Sequence, residues 1–195
     1  MKKEKIAYSI LELAVVSQGD SIKQTLNNSL ALAQEAEVSN YKRIWFAEHH
    51  NSDNIASSAT SLLMGYIAEN THSIRVGSGG IMLPNHAPLI IAEQFGTLAH
   101  LYPNRIDLGL GRAPGTDPQT AKAIRSDFMQ AAHSFPGEIK KIQQYFAPEN
   151  KKSIPVEIAA KQDDSATTTY QSVHLVDPGN STDRSKKVPA EKLLR

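Results

Sequence analysis

Apolar positions along the first 150 residues change their spacing repeatedly, with short runs of strand length alternating with stretches spaced as on a helix. IAYSILELA, beginning at Ile6, reads as a first strand. SIKQTLNNSLALAQEAEVSN then carries apolar residues at Ile22, Leu26, Leu30 and Ala33, a helical spacing for which Ser21 offers an N-cap. RIWFAE predicts a second strand and SSATSLLMGYIAENT a second helix. SIRVGSGGIML is a third strand interrupted by glycines, PLIIAEQFGTLAHLY a third helix and RIDLGLG a fourth strand. A fourth helical region begins near Asp117 and runs with breaks to about Phe146, and SIPVEIAA reads as the start of a fifth strand.

Strands alternating with helices imply βαβ units, a parallel sheet and right-handed crossovers. A doubly wound nucleotide domain carries a Gly-rich turn after its first strand, and LELAVVSQGDS has no G-x-G-x-x-G. The expected fold is therefore α/β and TIM-barrel-like. Residues 1–150 supply four to five strands of an incomplete barrel, and residues 151–195 form an irregular polar segment. After about Pro155 the chain is rich in Ser, Thr, Asp and Lys, with Tyr170 its one aromatic residue and no clear βα pattern.

Composition narrows the class of partner. The 195 residues suffice for one core or part of a larger barrel, and 40% hydrophobic with 21% charged residues is ordinary for a globular chain. A net charge of +1 gives no electrostatic reason to expect nucleic acid or a membrane surface. There is no cysteine, so disulfide and thiolate chemistry are excluded. Glu12 breaks the apolar run of MKKEKIAYSILELAVV, so no signal peptide is read, and no stretch of about 18 apolar residues exists. A soluble cytoplasmic protein is expected.

Three stretches carry candidate chemistry. FAEHH places Glu48, His49 and His50 at the C-terminal end of the second strand, the end that forms the catalytic face of a barrel. Their bland alternative is a solvated loop with one histidine capping the next helix. Adjacent His49 and His50 in extended backbone point in opposite directions, which argues against one shared metal ion. VGSGGIMLPNHAP sets Gly77, Gly79 and Gly80 inside a strand, either to let the barrel curve or to bring backbone close to a flat ligand. LGLGRAPGTD puts Arg112 after the fourth strand, suited to an anionic group such as phosphate or to a salt bridge with Glu93 or Asp107. Trp45 and Phe46 are expected in the core. A metal-dependent hydrolase built on His49, His50 and Asp107 is a weaker reading.

Taken together, FAEHH, SSAT and RVGSGGIMLPNHAPLIIAEQFGTLAHLYPNRIDLGLGRAPGTD resemble the bacterial-luciferase-like flavin monooxygenases, and most closely their single-component branch, over residues 5 to 148. The resemblance implies a TIM barrel that uses reduced FMN, supplied by a flavin reductase, with dioxygen on a small organic substrate. It also implies that His49 is the catalytic histidine, as general base or as a donor that steadies the flavin peroxide, and that Glu48 and His50 hold its turn. Ser78, Gly79 and Gly80 then match the flavin-facing strand, where the family often has a non-proline cis peptide. Arg112 matches an arginine that reaches the flavin or its phosphate.

The chain departs from that pattern after about residue 150. The family has a Gly-Ser-Ser type turn after its fifth strand, whereas SIPVEIAAKQDDSATTTY has no glycine there. The expectation is a shortened member of the family, with a non-catalytic or inactive flavin-binding homologue as the alternative. An open half-barrel would expose edge strands and an apolar interior, so association into a homo-oligomer or with another chain is expected.

Overall fold

Each strand-like and helix-like run up to Phe146 forms an element in the computed structural model, which describes residues 7–147. The fifth strand and the polar segment 151–195 fall outside the described residues. Strands β1 (Ser9–Glu12), β2 (Arg43–Phe46), β3 (Arg75–Met82) and β4 (Ile106–Gly111) pair side by side in that order, all parallel. Helix α1 (Ile22–Val38) connects β1 to β2, α2 (Thr60–Glu69) connects β2 to β3, and α3 (Pro88–Leu101) connects β3 to β4. The region after β4 breaks into α4 (Pro118–Ile124), α5 (Phe128–His133) and α6 (Phe135–Phe146). Asp117 caps α4 by accepting from the backbone N–H groups of Gln119 and Thr120.

Alternation along the strands separates two faces. Ile44, Phe46, Val76, Ile106, Leu108 and Leu110 are buried against the helices, joined by Met64, Ile91, Phe95 and Ile142. Burying each such side chain stabilises the fold by about 1.5–3 kcal/mol. Phe46 thus lies in the core, as its apolar run predicts.

Trp45 points the other way and is half-buried, because its neighbours in register alternate onto the sheet's second face. Its ring lies over Gly77, where a Cβ would come within 2.4 Å of the indole. That glycine therefore makes room for Trp45 itself. Arg43 stacks on the same ring, its guanidinium carbon 4.8 Å from the ring centre.

Helix α1 meets the core with its expected apolar stripe except at Ile22, and buries small residues beside it. Thr25, Ser29, Ala33 and Ala36 are buried, Leu26 and Leu30 pack at the margin of the core, and Ile22 is left 52% exposed. Small residues allow the helix to sit close to the sheet, where the Ser29 hydroxyl donates to Glu12 Oε1 over 3.1 Å. Ser21 does cap the helix, accepting from Gln24 N–H at 3.1 Å. Among the described residues no helix is long and apolar enough to cross a membrane.

Candidate functional site at the C-terminal ends of the strands

β2 ends at Phe46, and the next residues are pinned by hydroxyl groups: Ser57 and Thr60 both donate to the carbonyl of Ala47. This anchoring fixes the direction in which Glu48, His49 and His50 leave the sheet. Glu48 is 1% exposed and its Oε1 accepts from His50 Nε2 at 2.8 Å. The same oxygen accepts from His86 Nε2, also at 2.8 Å, from the loop after β3. Burial pushes the Glu48 carboxyl up, but the hydrogen bonds and charges of His50 and His86 outweigh it and hold the pKa below the usual carboxylate range.

His49 takes no part in that cluster. Its backbone N–H donates to Ser57 O at 2.9 Å, while its ring Nδ1 is buried and has no hydrogen-bond partner among the described residues. Buried polar atoms without partners are rare in folded proteins. His50 is tied at its backbone to the loop after β4: its N–H donates to Gly115 O at 3.0 Å, and Thr116 Oγ1 donates to its carbonyl at 2.8 Å. Gly115 has φ +64°, and a Cβ there would fall 2.6 Å from Glu48 O, so glycine is required for this approach.

The glycines of β3 form a bulge against β4, where the register shifts between Ser78 and Ile81. The Gly79–Gly80 peptide bond is cis. Gly79 is exposed beside Leu11 and Trp45, whose atoms would lie 3.3 and 2.9 Å from a Cβ at that position. Ser78, expected in a cofactor site, faces the helix side instead: it is fully buried, its hydroxyl donates to Gly109 O at 2.8 Å and accepts from Gly109 N–H at 3.1 Å. Alternation with Gly79 explains that orientation.

Arg112 is exposed just after β4 and makes no ion pair among the described residues. The alternative salt bridge to Asp107 is overturned, since Asp107 pairs with Arg43 and Arg75. This buried cluster lies toward the N-terminal ends of the strands, because Arg43 and Arg75 begin β2 and β3 and Asp107 is the second residue of β4, while the histidines follow the end of β2. Asp107 and His49 therefore do not form the set a metal hydrolase would need. His86 is the site residue that sequence reasoning missed. Its signal was a histidine in the quoted PNHAP loop, visible only once that loop was placed beside FAEHH.

The parallel βα units with polar side chains gathered at the strands' C-terminal ends define one half of a TIM-barrel-like site. The chain belongs to the luciferase-like monooxygenase family, whose family model matches residues 8–131. A luciferase-like monooxygenase of Escherichia coli is 51% identical over 146 residues, covering 75% of this chain and 44% of that protein. The N-acetyl-S-alkylcysteine monooxygenase of Bacillus subtilis is 39% identical over 140 residues, covering 72% of this chain and 42% of its own. The chain thus spans less than half the length of these relatives. The solved structure of apo-MsnO8 superposes with a TM-score of 0.76 at 32% identity, over 89% of this chain and 49% of that one. The oxygenating constituent of 3,6-diketocamphane monooxygenase from Pseudomonas putida, solved in complex with FMN, shares the fold with a TM-score of 0.61 at 18% identity, over 73% and 40%.

Proposed function

We propose that this chain provides the flavin-side half of an FMN-dependent monooxygenase site, which uses reduced flavin and dioxygen on a small organic substrate. The observation that carries the reading is the Nδ1 of His49 at the C-terminal end of β2, buried and without a partner among the described residues. An imidazole nitrogen left in that state is suited to a ligand or reacting group rather than to the protein's own network. The exposed Gly79 beside Leu11 and Trp45 supports the same reading, because a ring system can approach closely where a side chain is absent.

Reduced FMN, when bound, supplies the electrons with which dioxygen is activated. Gly79 and Gly80 would admit the ring, and Arg112 would pair with the phosphate through its guanidinium. His49 would hold or move a proton at Nδ1, while Glu48 and His50 fix the turn that aims it. A flavin reductase is the partner such a site needs, and association into a homo-oligomer and a cytoplasmic setting belong to the same reading. A second reading, flavin binding without turnover, is favoured by the exposure of the Gly79 face among the described residues, where Leu11 is 55% exposed.

The test is substrate oxidised per flavin consumed, measured with reduced FMN, oxygen and a panel of small aldehydes. Replacing His49 with Ala is expected to lower that yield by about 100-fold or more while FMN affinity stays within about twofold. Undiminished oxidation by His49→Ala removes the role assigned to the imidazole.

A further inference from the structure

Two imidazoles from different loops converge on one carboxylate oxygen, and that geometry supports more than a hydrogen-bonded clamp. His50 Nε2 and His86 Nε2 each lie 2.8 Å from Glu48 Oε1. The three atoms are all within 4.8 Å of one another. Because an ionised carboxylate only accepts, both rings must present Nε2–H to it. We propose that Glu48, His50 and His86 bind one divalent transition-metal ion of the zinc class, bridging the loops that follow β2 and β3. This goes beyond the flavin reading and does not depend on it.

Two imidazoles and one carboxylate make a nitrogen–oxygen donor set that zinc, cobalt(II), nickel and iron(II) accept, with water in the remaining positions. The set is held in advance on both sides. His50 is fixed at its backbone by Gly115 and Thr116, and Arg125 donates to the carbonyl of His86 at 3.1 Å. Asn85 Nδ2 donates to Pro114 O at 2.8 Å, tying the loop that carries His86 to the loop that carries Gly115. Little reorganisation therefore opposes binding. The His50 and His86 side chains are 19% and 28% exposed, which leaves the ion a route in and room for water, while Glu48 at 1% supplies a buried counter-charge.

Binding needs Nε2 of both rings freed of its proton. The Nε2 proton of each ring must leave that atom so that its lone pair faces the ion, and the ring then carries its remaining proton at Nδ1. FAEHH alone argues against a shared ion because His49 and His50 diverge. In the folded chain the second imidazole comes from His86, not His49.

The experiment is calorimetric titration of the full, chelator-treated chain with zinc chloride in the absence of flavin. One saturable site per chain at micromolar zinc is expected, weakened about tenfold or more by His86→Ala and unchanged by His100→Ala, whose ring is exposed elsewhere. No saturable site, or one that His86→Ala leaves intact, overturns the proposal. Should His86→Ala fail to fold, long-range proton–nitrogen spectra of the unmodified chain decide. Zinc should leave two of its seven histidines with Nε2 deprotonated and the proton at Nδ1, and spectra without that change overturn the site.

Discussion

Asp107 sits between two guanidinium groups with its side chain fully buried, and Arg43 beside it is 1% exposed. Burial pushes the Asp107 carboxyl up, but hydrogen bonds and charges from Arg75 and Arg43 hold it below the usual carboxylate range. Asp107→Asn removes the counter-charge from a buried Arg43 and is expected to cost about 3–5 kcal/mol in urea unfolding. A loss under about 1 kcal/mol would show that the cluster carries no such weight. Arg112 stands apart from it, so Arg112→Ala should leave stability unchanged and weaken FMN binding about tenfold, or about 1.4 kcal/mol. An unaltered dissociation constant would remove the phosphate role. Residue identity told part of this in advance. FAEHH marked the site because three ionisable side chains directly follow an apolar strand. Spacing could not decide whether Arg112 or Arg43 meets Asp107, since that depends on the register between β2 and β4 through β3.

At the scale of elements, local chemistry was more legible than the full set of residues a helix buries. Ser21 and Asp117 stand where the helix starts need side-chain acceptors, and both act so. The apolar spacing of α1 marks Leu26, Leu30 and Ala33, which meet the core, but not the small Thr25, Ser29 and Ala36, which a helix packed close to a sheet also buries. Its far end holds another contact that sequence did not disclose. Glu37 accepts from the backbone N–H groups of His72 and Ile74 at 2.9 and 2.8 Å, and from the backbone and hydroxyl of Ser73, pinning the turn between α2 and β3. Burial raises the Glu37 pKa, but these donors outweigh it and lower it from 4.5 to about 2. The contribution is therefore fully present above about pH 4.5 and lost as pH falls from there toward about 2. Thermal melts should show Glu37→Gln less stable than the unmodified chain at pH 7, with the difference shrinking across that acid window. A gap that stays constant from pH 7 to pH 2.5 would contradict the sign argued here.

For the whole molecule, alternation of strand and helix was the strongest signal, because each βα unit writes its period into about 30 residues. Four units form a parallel sheet with one face sealed by helices and the other carrying Leu11, Trp45 and Gly79. What the sequence hid was how the loops after β2, β3 and β4 meet, since Glu48, His86 and Gly115 are far apart along the chain. The central claim is that these loops and the bare β3 bulge build a flavin site. Its most direct test is anaerobic titration of the purified chain with reduced FMN, following flavin fluorescence and oligomeric state in the same samples. The account predicts saturable binding that Arg112→Ala weakens. A folded chain with no saturable binding would contradict it.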